Sequence, residues 1–188
     1  MVINLLDCTY KRISMRHLFK PFDCGDSDLN EFLLSDALPY LSQLLAVTYL
    51  YEYGNETIAF FSVSNDTISF NDKSLSKTEW TRLRRTYPNR KRLTKLPAVK
   101  IGRLGVHMKY QKSGIGTQLL DTIKFFFIDN NKTGCRYITV DAYNNKQTIP
   151  FYQKNGFNFL TDSDADDITR LMYFDLRWFI GGASAEIQ

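Results

Sequence analysis

An α/β or α+β fold in one layered domain is what the sequence predicts, on three observations. Runs of strand length, rich in β-branched and aromatic residues, alternate with helical stripes along the chain. One strand leads directly into a glycine-bearing loop that opens a helix. The 188 residues, 44% hydrophobic and 14% aromatic, suffice for a single real core. That composition, with 23% charged residues, excludes collagen-like, disordered and low-complexity chains. No apolar run approaches the ~18 residues of a membrane-spanning helix, and Met1–Asp7 lacks the basic leader and apolar stretch of a secretory signal. Cys8, Cys24 and Cys135 are odd in number, scattered and without a CxxC pair. No disulfide framework and no metal site is therefore expected, and a cytoplasmic location is.

Val2–Leu6 reads as a first strand. Asp26-Ser27-Asp28 offers N-cap side chains, with Asp28 and Glu31 spaced as a capping box, before an amphipathic helix running to about residue 43. Pro39 should bend or divide that helix. Leu45–Tyr53 and Thr57–Val63 flank Gly54-Asn55-Glu56 as a β-hairpin. Val99–Val106 is another strand, and Gly114–Asn130 a helix with Leu119, Leu120, Ile123, Phe126 and Phe127 in one stripe. Tyr137–Ala142 follows as a strand, then a short helix over about 146–155 that ends at Gly156, suited to a left-handed cap. Phe157–Leu160 and Leu171–Leu176 close the fold as an antiparallel pair around an acidic loop. The expected organisation is one domain over 1–180, with a basic insertion at about 71–96 and a flexible tail over 181–188.

The net charge of +4 is unevenly placed. Between Asn71 and Lys95 nine basic residues face only Asp72 and Glu79, so this segment carries +7 and the rest of the chain −3. A polyanion such as RNA fits a cationic cluster, as does an acidic protein partner. A solvated basic loop with a short helix fits it equally well.

The chemistry concentrates in Ile101–Gly116. A helix N-terminus leaves backbone N–H groups unpaired and carries a partial positive charge, so a strand–loop–helix turn binds phosphate. Gly114 and Gly116 let the backbone approach an anion. The dinucleotide fingerprint fails, because its third glycine falls at Leu119, and no GK[ST] is present for a Walker loop.

Gln111-Lys112-Ser113-Gly114-Ile115-Gly116 resembles the [RQ]-x-x-G-x-[GA] acetyl-coenzyme A signature of the GNAT superfamily of N-acetyltransferases, and Leu104-Gly105-Val106-His107 resembles its fourth strand. Val140–Asn145 and Phe151-Tyr152-Gln153-Lys154-Asn155-Gly156-Phe157 are similar to its fifth strand, Asn-bearing turn and FYxxxGF ending. The match covers about residues 97–160 and implies a mixed, mostly antiparallel sheet flanked by helices. At the front, Phe22-Asp23-Cys24-Gly25, Leu29–Leu33 and Thr48-Tyr49-Leu50 look like the branch that contains toxins of toxin–antitoxin modules acting on aminoacyl-tRNA. That branch usually has Ala where Gly105 stands.

The resemblance implies acetyl transfer from acetyl-CoA to a primary amine by direct attack. It assigns the main-chain groups of Leu104 and Val106 to the pantetheine arm and thioester carbonyl. The N–H groups of Gln111, Lys112, Ser113, Gly114, Ile115 and Gly116 go to the pyrophosphate, Asn145 to the pantetheine or phosphate side, and Tyr152 to the protonation of the departing thiolate. Many family members carry a glutamate base on the fourth strand, whereas here that strand offers Lys100, Gly102 and Arg103. The missing base favours an acceptor that arrives neutral, such as an α-amine of reference pKa about 8, over a lysine of about 10.4. Aminoacyl-tRNA is the first acceptor implied, with Arg84, Arg85, Arg90 and Arg92 as its contacts, a small DNA-binding antitoxin as partner, and a homodimer. A small-molecule or protein N-terminal acetyltransferase, or a toxin-like binding protein without catalysis, are the alternatives.

Other signals are weaker. His107 reads as a loop histidine with one hydrogen bond, and Cys24 as a small buried thiol. Asp162-Ser163-Asp164-Ala165-Asp166 fails as a calcium loop, because Asp167 and Tyr173 stand where glycine and glutamate are required.

Overall fold

Residues Ile58 to Val63 are buried without a break, although a half-buried strand alternates. A strand buried on both faces lies inside a sheet covered on both sides. A computed structural model describes residues 3–70, 75–131 and 133–183. Its strands are β1 (Thr9–Arg12), β2 (Val47–Tyr53), β3 (Glu56–Ser69), β4 (Lys95–Val106), β5 (Tyr137–Tyr143), β6 (Asn158–Phe159) and β7 (Thr169–Asp175). They form one seven-stranded sheet in the order β1-β2-β3-β4-β5-β7-β6. The β1–β2, β2–β3, β5–β7 and β6–β7 pairs are antiparallel. β4 and β5 are parallel, with Ala98, Val99 and Lys100 opposite Tyr137, Ile138 and Thr139. The helices are α1 (Ser27–Glu31), α2 (Ala37–Ser42), α3 (Lys77–Arg84), α4 (Ile115–Ile128), α5 (Thr148–Lys154) and α6 (Leu176–Ala183). This is the mostly antiparallel α+β sheet with flanking helices that the sequence implied.

The chain is organised as two compact units, 1–64 with 101–123, and 65–100 with 124–188. In the first, Ile13, Phe22, Cys24, Phe32, Leu33, Ala37, Leu50 and Phe60 share a core. The second packs Ile68, Leu75, Trp80, Leu83, Leu96, Ala98, Tyr137, Leu160 and Tyr173.

Local sequence explains most departures from expectation. The expected strand over Val2–Leu6 is instead a 3-10 turn, Leu5–Asp7. Asn4 Oδ1 accepts from the Leu6 amide and Asp7 Oδ2 from the Asn4 amide, a reciprocal cap that outcompetes extension; Val2 itself lies outside the described residues. The front helix is capped by Asp26, whose Oδ1 accepts from the Leu29 amide, and not by Asp28. It does not run straight: α1 passes through a π turn at Phe32–Asp36 into α2. Pro39 has no amide to return to Ser35, so the α-helical ladder cannot close across this stretch.

The basic stretch is built into the second unit. Ser76 and Glu79 cap α3 reciprocally, and α3 buries Trp80 and Leu83 in the core, so what the sequence marks as an insertion contributes to packing. Residues 71–74 of that stretch lie outside the described residues. Helix α6 includes residues 181–183, which the sequence assigns to a tail; 184–188 lie outside the described residues.

Candidate active site

In the first unit, β4 ends at Val106 and the chain turns through Met108–Tyr110 and the exposed loop 111–114 into α4. Lys112 and Gly114 both adopt positive φ, +60° and +91°. Alternating backbone of this kind turns successive amides to one side, which is the geometry of an anion nest. Among the described residues, no acceptor pairs with the amides from Lys112 to Thr117; the first bond returned to the helix is Gln118 N–H to the Gly114 carbonyl, 3.1 Å. Open space surrounds Gly114 where a Cβ would stand. Free amides, an open face and the positive end of a 14-residue helix fit the phosphates of acetyl-CoA.

The loop's other groups are engaged. Gln111 Nε2 donates to the carbonyls of Cys24, 2.8 Å, and Val106, 3.0 Å. Glu56 pairs with Lys109 and accepts from the Tyr110 hydroxyl. His107 is buried and its Nδ1 accepts from the Lys109 amide at 3.3 Å, a turn-capping role. Leu104 and Val106 are half-buried on β4. Gly105 between them has a steric reason: a Cβ there would lie 2.6 Å from Phe60 Cε1 and 3.2 Å from Phe22 Cζ. Arg103 lies over the Phe32 ring, 5.1 Å from its centroid, with Nε enclosed and without an acceptor among the described residues.

In the second unit, Asn144 ties the end of β5 to the loop before β7, donating to the carbonyls of Ala165 and Asp167. Asn145 Oδ1 accepts from the amides of Gln147, 2.9 Å, and Thr148, 2.7 Å, so its oxygen caps α5 and only its Nδ2 is left for a ligand. α5 carries Tyr152, which is 6% exposed and edge-on to Phe151 and Phe157. Burial pushes its phenol well above the ordinary tyrosine range, so the side chain holds its proton. Gly156 ends the helix at φ +84°, and a Cβ there would meet Phe174 at 2.9 Å. The acidic hairpin loop is internally satisfied: Asp164 accepts from Arg170 Nε and the Leu171 amide.

The same unit holds a cavity of about 670 Å³ lined by Arg85, Tyr87, Asn89, Lys91 and Arg92. Of these, Tyr87 is braced by Arg136. Asp175 is buried and takes a bidentate pair from Arg136, whose Nη1 donates to Thr86 Oγ1 and whose guanidinium lies 4.7 Å from the Tyr87 ring centroid. Of the arginines singled out from sequence, Arg85 and Arg92 line this cavity, while Arg84 lies over Trp80. The Arg90 side chain lies outside the described residues. Tyr87, Asn89 and Lys91 were not singled out; an aromatic among the cations was the available signal for Tyr87, and Asn89 had none. Among the described residues no group of His, Cys, Asp or Glu is placed to hold a metal ion, and no helix is long and apolar enough to cross a membrane.

Fold and loop together present a strand–loop–helix turn with unpaired amides, a geometry suited to binding phosphate. The family comparison is more specific: the model of the Acetyltransferase (GNAT) domain matches residues 46–159, more than half of the chain. The chain belongs to the GNAT family, an acetyltransferase with acetyl-CoA as its acetyl donor. No curated protein matches the sequence. Solved structures similar to it include a tyrosine-to-phenylalanine mutant of KacT, at 20% identity, 93% coverage of this chain and 98% of that one, TM-score 0.76. AtaT complexed with acetyl-methionyl-tRNAfMet matches at 17% identity, 93% and 98% coverage and TM-score 0.75. AtaTR bound with AcCoA matches at 16%, 93% and 96%, and 0.65. At these identities the likeness establishes the fold.

Proposed function

We propose that this acetyltransferase acts on the α-amino group of aminoacyl-tRNA. The observation that carries the reading is the anchored cationic cavity of Arg85, Lys91 and Arg92 around Tyr87, which offers an RNA strand both counter-charge and an aromatic face. AtaT, whose fold this chain shares, has been captured with an acetylated aminoacyl-tRNA, which supports the same acceptor here.

Acetyl-CoA supplies an acetyl thioester. The amides of Lys112 to Gly116 hold its pyrophosphate, the Gln111 amide that the sequence adds to them being turned instead to the Met108 carbonyl at 3.3 Å; the main-chain groups of Leu104 and Val106 hold the pantetheine arm and polarise the carbonyl, and Asn145 contributes its Nδ2. The acceptor amine forms the new C–N bond as the C–S bond breaks. Tyr152 gives its proton to the departing sulfur, and water takes the proton lost by the amine. The strand segment Ile101–Val106 carries no carboxylate for that step, which suits an ester-activated α-amine that is largely neutral at physiological pH. The enzyme works in the cytoplasm, as a homodimer held in check by a small DNA-binding antitoxin. KacTA and AtaT–AtaR complexes with DNA support that partner class.

The test is transfer of labelled acetyl from acetyl-CoA to bulk charged tRNA, with uncharged tRNA and Tyr152→Phe as controls. Label on charged tRNA alone, lost in the variant, is the expected result. Transfer to small amines or peptides instead moves the acceptor, and acetyl-CoA binding with no transfer to any amine favours a binding protein.

A further inference from the structure

The first residue of the phosphate-loop motif has its side chain occupied elsewhere. Both hydrogens of the Gln111 amide are committed, one to the Val106 carbonyl at the end of β4 and one to the Cys24 carbonyl. Cys24 belongs to the turn that enters α1 from a part of the chain far removed in sequence. The turn is fastened to the loop again one step earlier, where the Met108 amide donates to the Asp23 carbonyl at 2.8 Å. Packing adds a third contact: Gly25 has φ +80°, and a Cβ there would come within 3.1 Å of Met108 Sδ.

The turn is itself braced. Asp23 Oδ1 accepts from the Gly25 amide and from Asn30 Nδ2, each at 2.8 Å. Asn30 Oδ1 in return accepts from the Cys24 amide at 3.0 Å and from its thiol at 3.2 Å. Rigid structure therefore runs without interruption from α1, through Asp23–Gly25, to the loop whose amides stay free. Two carbonyl oxygens converge on one nitrogen, and without it both lose their donor and repel each other.

We propose that Gln111 is a positioning residue: its side chain clasps the phosphate loop to the braced Asp23–Gly25 turn, so that restraint of the loop by the donor is passed on to the front of the chain. Gln and Arg can both make this clasp, because each presents at least two N–H donors from one planar head. It rests on the reading of loop 111–116 as the cradle of the donor's diphosphate.

The experiment uses the full chain and coenzyme A as the probe. Wild type, Gln111→Met, which keeps length but has no donor, and Gln111→Arg, which keeps two, are titrated by calorimetry. Amide hydrogen exchange is followed over 22–26 and 108–116 with and without ligand. In wild type, coenzyme A should slow exchange in both segments. Gln111→Met should weaken binding about tenfold, the effect of two lost hydrogen bonds, and should uncouple 22–26, which then exchanges at its free rate under saturating ligand. Gln111→Arg should bind within about threefold of wild type and restore the coupling. Wild-type affinity in Gln111→Met overturns the proposal. So does a wild-type protein in which coenzyme A protects 108–116 and leaves 22–26 unchanged, a result readable even if the Met variant fails to fold. Absence of protection at 111–116 in wild type removes the cradle reading and the clasp with it, and is distinguishable because no segment of the loop responds.

Discussion

Gly105→Ala isolates a steric constraint at the centre of β4. The new methyl would stand 2.6 Å from Phe60 Cε1 and 3.1 Å from Cδ1, against an ordinary carbon–carbon contact of about 3.5–4.0 Å. Phe60 cannot simply swing aside. It is fully buried, packs edge-on against Phe22 with centroids 5.3 Å apart, and lies near-parallel to Phe32 at 6.3 Å. Overpacking of this size costs about 1–3 kcal/mol. The narrower unfolded ensemble of Ala offsets about 0.4–1 kcal/mol of that. A net loss of about 1–2 kcal/mol follows, or a fall in Tm of about 2–8 °C for a chain of 188 residues. The assay is urea unfolding of Gly105→Ala, Phe60→Leu and the double variant. Phe60→Leu removes the atoms in the way, so in that background Gly105→Ala should be close to neutral, with a coupling energy of about 1–2 kcal/mol. Strictly additive variants, or a Gly105→Ala that raises Tm by itself, refute the steric account.

Three further outcomes are expected. Because burial raises the Tyr152 pKa above its ordinary value, the proton is retained through the working range. The rate should then show no falling alkaline limb from this group below about pH 10, and a limb near pH 8 that vanishes in Tyr152→Phe would contradict the acid role. The same raised value makes the stability contribution of the buried phenol complete below its unfolded pKa, and it declines as pH rises towards the folded one. Glu52 is buried, which raises its pKa, yet hydrogen bonds from Lys11 and Lys20 prevail and hold it below its usual value. Its contribution is present above about pH 4.5 and lost as pH falls through the folded value, so Glu52→Gln should cost about 1–3 kcal/mol at pH 7 and progressively less in acid; a pH-independent difference by urea titration argues against the ion pairs. Replacing Arg85 or Arg92 by Ala should lower the slope of log affinity for tRNA against log salt by about 0.7–0.9 each, and unchanged filter-binding isotherms at low salt speak against the RNA surface.

The chemistry of this protein is concentrated in short local patterns, which is why so much of it is legible from sequence. Gln111–Gly116, with the strand before it and the helix after it, specifies a strand–loop–helix turn with open amides, because φ preferences and unpaired amides are properties of neighbouring residues. Phe151–Phe157 likewise specifies a capped helix that carries a tyrosine. The hairpin at Gly54-Asn55 and the stripe of α4 follow from periodicities of two and 3.6.

What periodicity cannot supply is the partner of a side chain that bonds across a gap of many residues. Gln111 in the motif looks like a ligand contact, and its clasp on Cys24 exists only because the front turn folds back onto β4. Asn145 reads from sequence as a contact to the donor, and in the fold its oxygen accepts from the amides of Gln147 and Thr148, the unpaired amides nearest to it. The basic stretch near Arg85 reads from sequence as a cluster of charge; Trp80 and Leu83 in the core and Arg136 locked to Asp175 make it an anchored cavity. By itself the sequence determined the family, the donor and most of the elements from β2 to β7, because these reside in contiguous residues; β1 and α6 escape it. Tertiary structure alone decided which side chains are free to meet a ligand, because every donor and acceptor satisfied within the fold is one fewer for the substrate.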